Sequence, residues 1–254
     1  MPKKLQSFFI CFFLVLIVIF IFHHQNSSNI EMRDTLISEP TEQIYVQNID
    51  EYEQKEDWEE YLLQPPELLA RVARLREQYD NSDIVGFLEI TGTNISYPVV
   101  QTYNNEFYLY HDLHGNSSSA GSVFLDYEND LYTLTDDNTI IYGHNMRGGS
   151  KFHNIRYFHN EDFFRAHTYI LLDTPYKETV WDIFSFFHTT IDFCYLTTNF
   201  RSRDDFYAFL LELQGRSHFT TDIILSEEDQ ILILSTCGVM GGANRYVIVA
   251  KLRR

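Results

Sequence analysis

Two short segments carry residues suited to catalysis. In Ile231-Leu232-Ile233-Leu234-Ser235-Thr236-Cys237-Gly238 an apolar run delivers a cysteine to its carboxyl end, where a glycine lets the chain turn. Arg245 follows eight positions later and opens a second apolar run, Tyr246-Val247-Ile248-Val249-Ala250. Two strands joined by so short a loop most often pair antiparallel, which brings the end of one beside the start of the next. A guanidinium beside a thiol favours the thiolate and donates hydrogen bonds to a developing oxyanion. The bland alternative is a small buried hydrophobe at Cys237 and a surface cation at Arg245.

Thr139-Ile140-Ile141-Tyr142-Gly143-His144 repeats the arrangement with a histidine at the strand end. Imidazole is the usual acid and base near neutral pH, and its cation stabilises a thiolate. Gly148-Gly149-Ser150 gives the following loop the freedom to admit a ligand. A lone histidine among ten means little, so His144 gains weight only beside Cys237 and Arg245. His111 and His114 have a metal-like spacing, but no HExxH or paired CxxC supports it, and neither metal nor cofactor is expected.

The elements that must hold these residues are mostly strands. Short β-rich runs appear at Ile84–Ile90, Ile95–Gln101, Ser122–Asp126, Asn138–Tyr142, Tyr169–Asp173, Thr179–Phe187, Ile191–Tyr195, Gln230–Thr236 and Tyr246–Leu252. So many short strands at close spacing predict a sandwich or a barrel. Leu68, Val72, Leu75 and Tyr79 form a helical stripe after Pro65-Pro66-Glu67. A second helix lies between Ser202, a cap with Asp205 three residues on, and Gly215; Phe206, Phe209, Leu210 and Leu213 form its inner face.

The front of the chain is different. Phe8 to Phe22 runs for 15 residues without a polar side chain, behind Lys3 and Lys4. Counted from Leu5 the segment is about 27 Å of helix, enough to cross a bilayer. His23-His24-Gln25-Asn26 lacks the small residues of a cleavage site, so an uncleaved anchor is expected with its amino terminus in the cytoplasm. The expected organisation is a tail and membrane anchor over 1–25, an acidic stalk over 26–64 and one extracytoplasmic domain over 65–254.

Composition narrows the function classes. The 254 residues include 21 Phe and 17 Tyr, which need a packed core and exclude a disordered chain. The net charge is −17, and all 36 acidic residues lie beyond the apolar segment, so nucleic acid is not an expected partner. Three cysteines cannot staple a domain of this size; Cys194 and Cys237 are one possible disulfide.

YGHNMRGGSKF (142–152), LSTC (234–237) and NRYVIVAKL (244–252) resemble the catalytic blocks of the sortases, membrane-anchored cysteine transpeptidases of Gram-positive bacteria. The class B branch is the nearest match, also through NNEFYLYHDLHG (104–115), SAGSVFLDYEND (119–130) and a helix ahead of the cysteine strand. One departure is Ile233 where the family usually carries Thr. The resemblance implies an all-β-dominated fold: a closed barrel of about eight strands with an N-terminal helix and a helix before the cysteine strand. It implies Cys237 as nucleophile, His144 as acid and base, and Arg245 as the group that holds the substrate backbone and the oxyanion. Ser235, Tyr195 and Leu196 would line the signal pocket. The implied substrates are secreted proteins with an NPxTG- or LPxTG-like sorting signal, and the acceptor is an amine of a cell-wall precursor or a pilin. Two other classes compete: a secreted cysteine peptidase, and a surface-anchored binding barrel without activity. The first sits poorly with the 93 positions between His144 and Cys237 and with the absence of CGSCW- or QACRG-type contexts.

Overall fold

The computed structural model describes residues 68–190, 192–237 and 244–254. The expected anchor and stalk lie outside the described residues, as do residues 238–243. Among the described residues no helix is long and apolar enough to cross a membrane.

Eight strands close into a barrel: β1 Ile84–Glu89, β2 Ser96–Val100, β3 Val123–Leu125, β4 Asn138–His144, β5 Tyr169–Asp173, β6 Glu178–Thr189, β7 Ile231–Cys237 and β8 Arg245–Leu252. Around the barrel the order is β1-β2-β3-β4-β7-β8-β6-β5. Closure leaves no strand edge open, which suits a sheet this rich in β-branched and aromatic side chains. The barrel expected from the sequence is the one observed.

Among the described residues three helices flank it: α1 Ala70–Tyr79, α2 Glu161–Ala166 and α3 Arg203–Gly215. α1 packs through Val72 against Ile84, Val100, Tyr108 and Phe124. α3 starts as its sequence dictates, with Ser202 Oγ accepting from Asp205 N at 3.1 Å. Its Phe206, Leu210 and Leu213 are buried against Ile140, Ile233 and Val249, on the outer face of β4, β7 and β8. The opposite face of those strands sends Ile141, Leu232, Leu234 and Ile248 into the barrel core, where Phe152, Phe158 and Trp181 are fully buried. Both faces of these strands are therefore covered, and period-2 alternation gives way to continuous apolar runs.

One expected strand is absent. The described residues of Ile191–Tyr195 form bends and turns, and Tyr195 N donates to Phe193 O at 2.9 Å, two residues back. Here the apolar side chains are used for packing without a ladder. Phe193 and Tyr195 stack on each other, and Arg216 lies 3.6 Å over the Phe193 ring. Two elements have no counterpart among the expected ones: α2, and the eight-residue 3-10 segment Phe152–His159, which buries Phe152, Ile155 and Phe158 at a period of three.

Candidate active site

β4 and β7 run side by side and parallel over their whole length, from Asn138↔Ile231 to His144↔Cys237. Neighbouring strands lie about 4.8 Å apart, so this register sets the backbones of His144 and Cys237 next to each other at one barrel end. β7 then pairs antiparallel with β8, Ile231↔Lys251 through Ser235↔Val247. Tyr246 N donates to Thr236 Oγ1 at 2.9 Å and prolongs the contact by one residue. Continued in step, the register brings Cys237 level with Arg245, which also pairs with Thr189 of β6. The backbones of His144, Cys237 and Arg245 thus lie at the same barrel end.

Each position has a local cause. Gly143 precedes His144 because the fully buried Phe152 ring lies against the backbone there. A Cβ at Gly143 would fall 2.8 Å from the Phe152 ring. The half-buried His144 imidazole has its Nε2 2.8 Å from the Leu109 carbonyl oxygen. A carbonyl only accepts, so Nε2 is the donor. Leu109 ends the 3-10 turn Phe107–Leu109. The Arg245 guanidinium is half-buried, with Nη1 donating to Asn244 O at 3.2 Å.

The loop leaving His144 closes on itself through a bridge between Asn145 and Lys151. Lys151 holds a positive φ of 56° and donates its backbone N–H to the Tyr97 hydroxyl at 2.8 Å. Its ammonium sits 5.4 Å over the Tyr97 ring, and burial pushes its pKa below the ordinary lysine value, opposed by Asp112. Nothing in the residue types of Tyr97 and Lys151 linked them beforehand.

The three expected pocket residues separate into two groups. Ser235 and Tyr195 are 1% and 2% exposed and are joined hydroxyl to hydroxyl at 2.9 Å. Leu196 is 42% exposed. Thr197 O beside it accepts from the buried Asn138 Nδ2 at 2.9 Å, and Thr198 Oγ1 donates to Glu128 at 2.7 Å, so the apolar tip is pinned by Tyr195 before it and by Thr197 and Thr198 after it.

The remaining candidates find other partners. His111 stacks on Phe107 at 4.1 Å and donates from Nδ1 to Phe107 O, while the His114 ring leans on Tyr79. Among the described residues no cluster of three or more His, Cys, Asp or Glu is arranged to hold a metal ion. Cys194 is a free, exposed thiol.

The chain is similar to known proteins in both sequence and fold. Residues 88–253 match the sortase domain family. Sortase B of Listeria monocytogenes is 40% identical over 174 residues, covering 68% of this chain and 70% of that protein. Sortase B of Staphylococcus aureus is 33% identical over 174 residues, covering 68% and 71%. Among solved structures, a Staphylococcus aureus sortase B–substrate complex superposes with a TM-score of 0.70 at 30% identity, covering 74% of this chain and 87% of that one. Sortase B from Bacillus anthracis in complex with AAEK2 gives a TM-score of 0.69 at 37% identity, covering 75% and 87%. With a closed eight-strand barrel, a matching domain and relatives of this likeness, the chain belongs to the sortase family of transpeptidases, in its class B branch.

Proposed function

We propose that this enzyme cleaves a sorting signal of the NPxTG or LPxTG kind after Thr and passes the acyl group to an amine. The observation that supports the reading is the His144↔Cys237 register of β4 and β7, together with a β7–β8 pairing that, carried two residues past Ser235↔Val247, puts Arg245 at the same barrel end. The Cys237 thiolate attacks the Thr carbonyl carbon, and the electron pair of the C=O bond moves onto oxygen, where Arg245 stabilises it. As the intermediate collapses, the C–N bond breaks and the departing amine takes its proton from the His144 imidazolium. The resulting thioester is attacked by an acceptor amine, which returns a proton to His144 as the thiolate leaves. Splitting one amide exchange into two acyl transfers replaces one difficult step by two easier ones.

The exposed Leu196 suits contact with the apolar part of the signal, with the Tyr195–Ser235 pair as support behind it. The apolar segment at Phe8–Phe22 and the acidic stretch after it suit an anchored enzyme that meets secreted proteins at the membrane. The acceptor is then an amine of a cell-wall precursor or of a pilin.

Intact mass after incubation with NPxTG and LPxTG peptides tests this. An adduct cut after Thr, mapped to Cys237, discharged by added amine and absent from Cys237→Ala, is the expected result. No adduct on any peptide, with Cys237 inert to thiol reagents, would sink it.

A further inference from the structure

Histidine has two ring nitrogens, and acid–base work requires that one be kept for the proton in transit. We infer that the Leu109 carbonyl makes this choice in the present enzyme. It holds a proton on Nε2 of His144 and leaves Nδ1 as the nitrogen that gives and takes the proton during acyl transfer. The 2.8 Å contact to a group that can only accept fixes Nε2–H in the neutral ring. The cationic ring keeps that bond and gains from it, since a carbonyl oxygen carries partial negative charge. The backbone carbonyl thus takes the orienting part that a carboxylate plays in a Ser-His-Asp triad.

A carbonyl orients a ring only if it is itself held, and this one is held from three sides. Asn104 Oδ1 accepts from Glu106 N at 2.8 Å and from Phe107 N at 3.0 Å, capping the turn that ends at Leu109. Asn105 ties the turn to the barrel, donating to Asp126 Oδ2 at 2.9 Å and accepting from Tyr127 N at 3.0 Å. Ser122 N donates to Tyr108 O at 2.8 Å, and the buried Tyr108 hydroxyl is fixed by Asn81 and Asp83.

Gly121 closes the arrangement. It adopts φ +54°, and a Cβ there would lie 2.5 Å from Leu109 O and 2.7 Å from Tyr108 O. The absence of a side chain at Gly121 is what lets this segment press against the carbonyl that His144 uses. Asn104 and Gly121 are therefore positioning residues. They are remote in sequence from His144 and touch it only through Leu109 O.

The tautomer half of this inference stands independently of the proposed reaction; its kinetic half rests on that reading. The experiment uses the full chain in detergent with 15N-labelled histidine rings, His144 being assigned by difference from His144→Asn. The expected spectrum shows Nε2 protonated and Nδ1 unprotonated in the neutral ring. Asn104→Ala and Gly121→Ala are expected to mix the tautomers and lower kcat about tenfold, with KM for the peptide within about twofold. Asn104→Asp keeps an acceptor oxygen and is expected to restore both signals. Ser202→Ala, which loosens the α3 cap, serves as the control for lost stability and leaves the tautomer unchanged. A protonated Nδ1 in the parent enzyme overturns the inference, and so does an unchanged tautomer and kcat in both Asn104→Ala and Gly121→Ala. If the parent enzyme forms no adduct with any peptide, the acyl-transfer reading fails while the spectrum still decides the tautomer.

Discussion

Replacing Gly143 by alanine tests how tightly the histidine strand is built. The new Cβ would meet three carbons of the Phe152 ring at 2.8, 2.9 and 3.0 Å. Carbon atoms in contact prefer roughly 3.5–4.0 Å, so the ring must retreat by about 0.7 Å. Phe152 is fully buried among Leu234, Ile155 and Phe186, and a close-packed interior has no space to receive it. Overpacking of this kind costs about 1–3 kcal/mol. Alanine also restricts the unfolded chain, which returns about 0.4–1 kcal/mol. The net loss is about 1–2 kcal/mol, or a fall in Tm of about 2–8 °C for a domain of this size.

A double-mutant cycle isolates the cause. Phe152→Leu alone leaves a void, but in the Gly143→Ala background it makes room for the methyl. The double variant is expected to be more stable than the sum of the singles by about 1 kcal/mol, measured by urea unfolding. Strict additivity, or a Gly143→Ala protein as stable as the parent, would refute the packing argument.

Arg71 lies 3.0 Å from Asp173, which burial pushes above the ordinary carboxylate pKa and Arg71 draws back down. Arg71→Met removes the compensation and raises that pKa further. The destabilisation, about 1 kcal/mol with Arg71 half-exposed, is largest at neutral pH and shrinks as acid protonates Asp173, as pH-dependent melts would show. Ser202→Ala removes the cap of α3 and is expected to cost about 1 kcal/mol, with Ser202→Asp near parental in thermal melts. Burial depresses the Lys151 pKa, so the folded state disfavours the charged amine. Lys151→Met is therefore expected to gain stability relative to the parent at neutral pH. That advantage should fade as rising pH passes through the folded and then the unfolded lysine pKa; a difference independent of pH up to alkaline conditions would contradict it.

The sequence by itself determined the local pieces. Apolar runs ending in His144 and Cys237, the run opened by Arg245, and the α3 cap at Ser202 follow from neighbouring residues. Turn and cap energies are set within a few positions, so these features were legible without a partner. The antiparallel β7–β8 pair was legible for the same reason, since a short connection leaves one easy geometry. Only the tertiary structure decided that β4 lies parallel to β7, a pairing across a connection that itself contains α2, β5, β6 and α3. No local energy term encodes that contact; it arises because both strands need cover on two faces. The same holds for Ile191–Tyr195, whose strand-like composition is used for packing against Phe187 and Arg216 in place of a ladder. It holds most of all for the Leu109 carbonyl. Every residue carries a backbone oxygen, so residue type gives no sign of which one will meet a histidine 35 positions away. Chain closure chose it, by pressing the 104–109 turn between Gly121 and the end of β4.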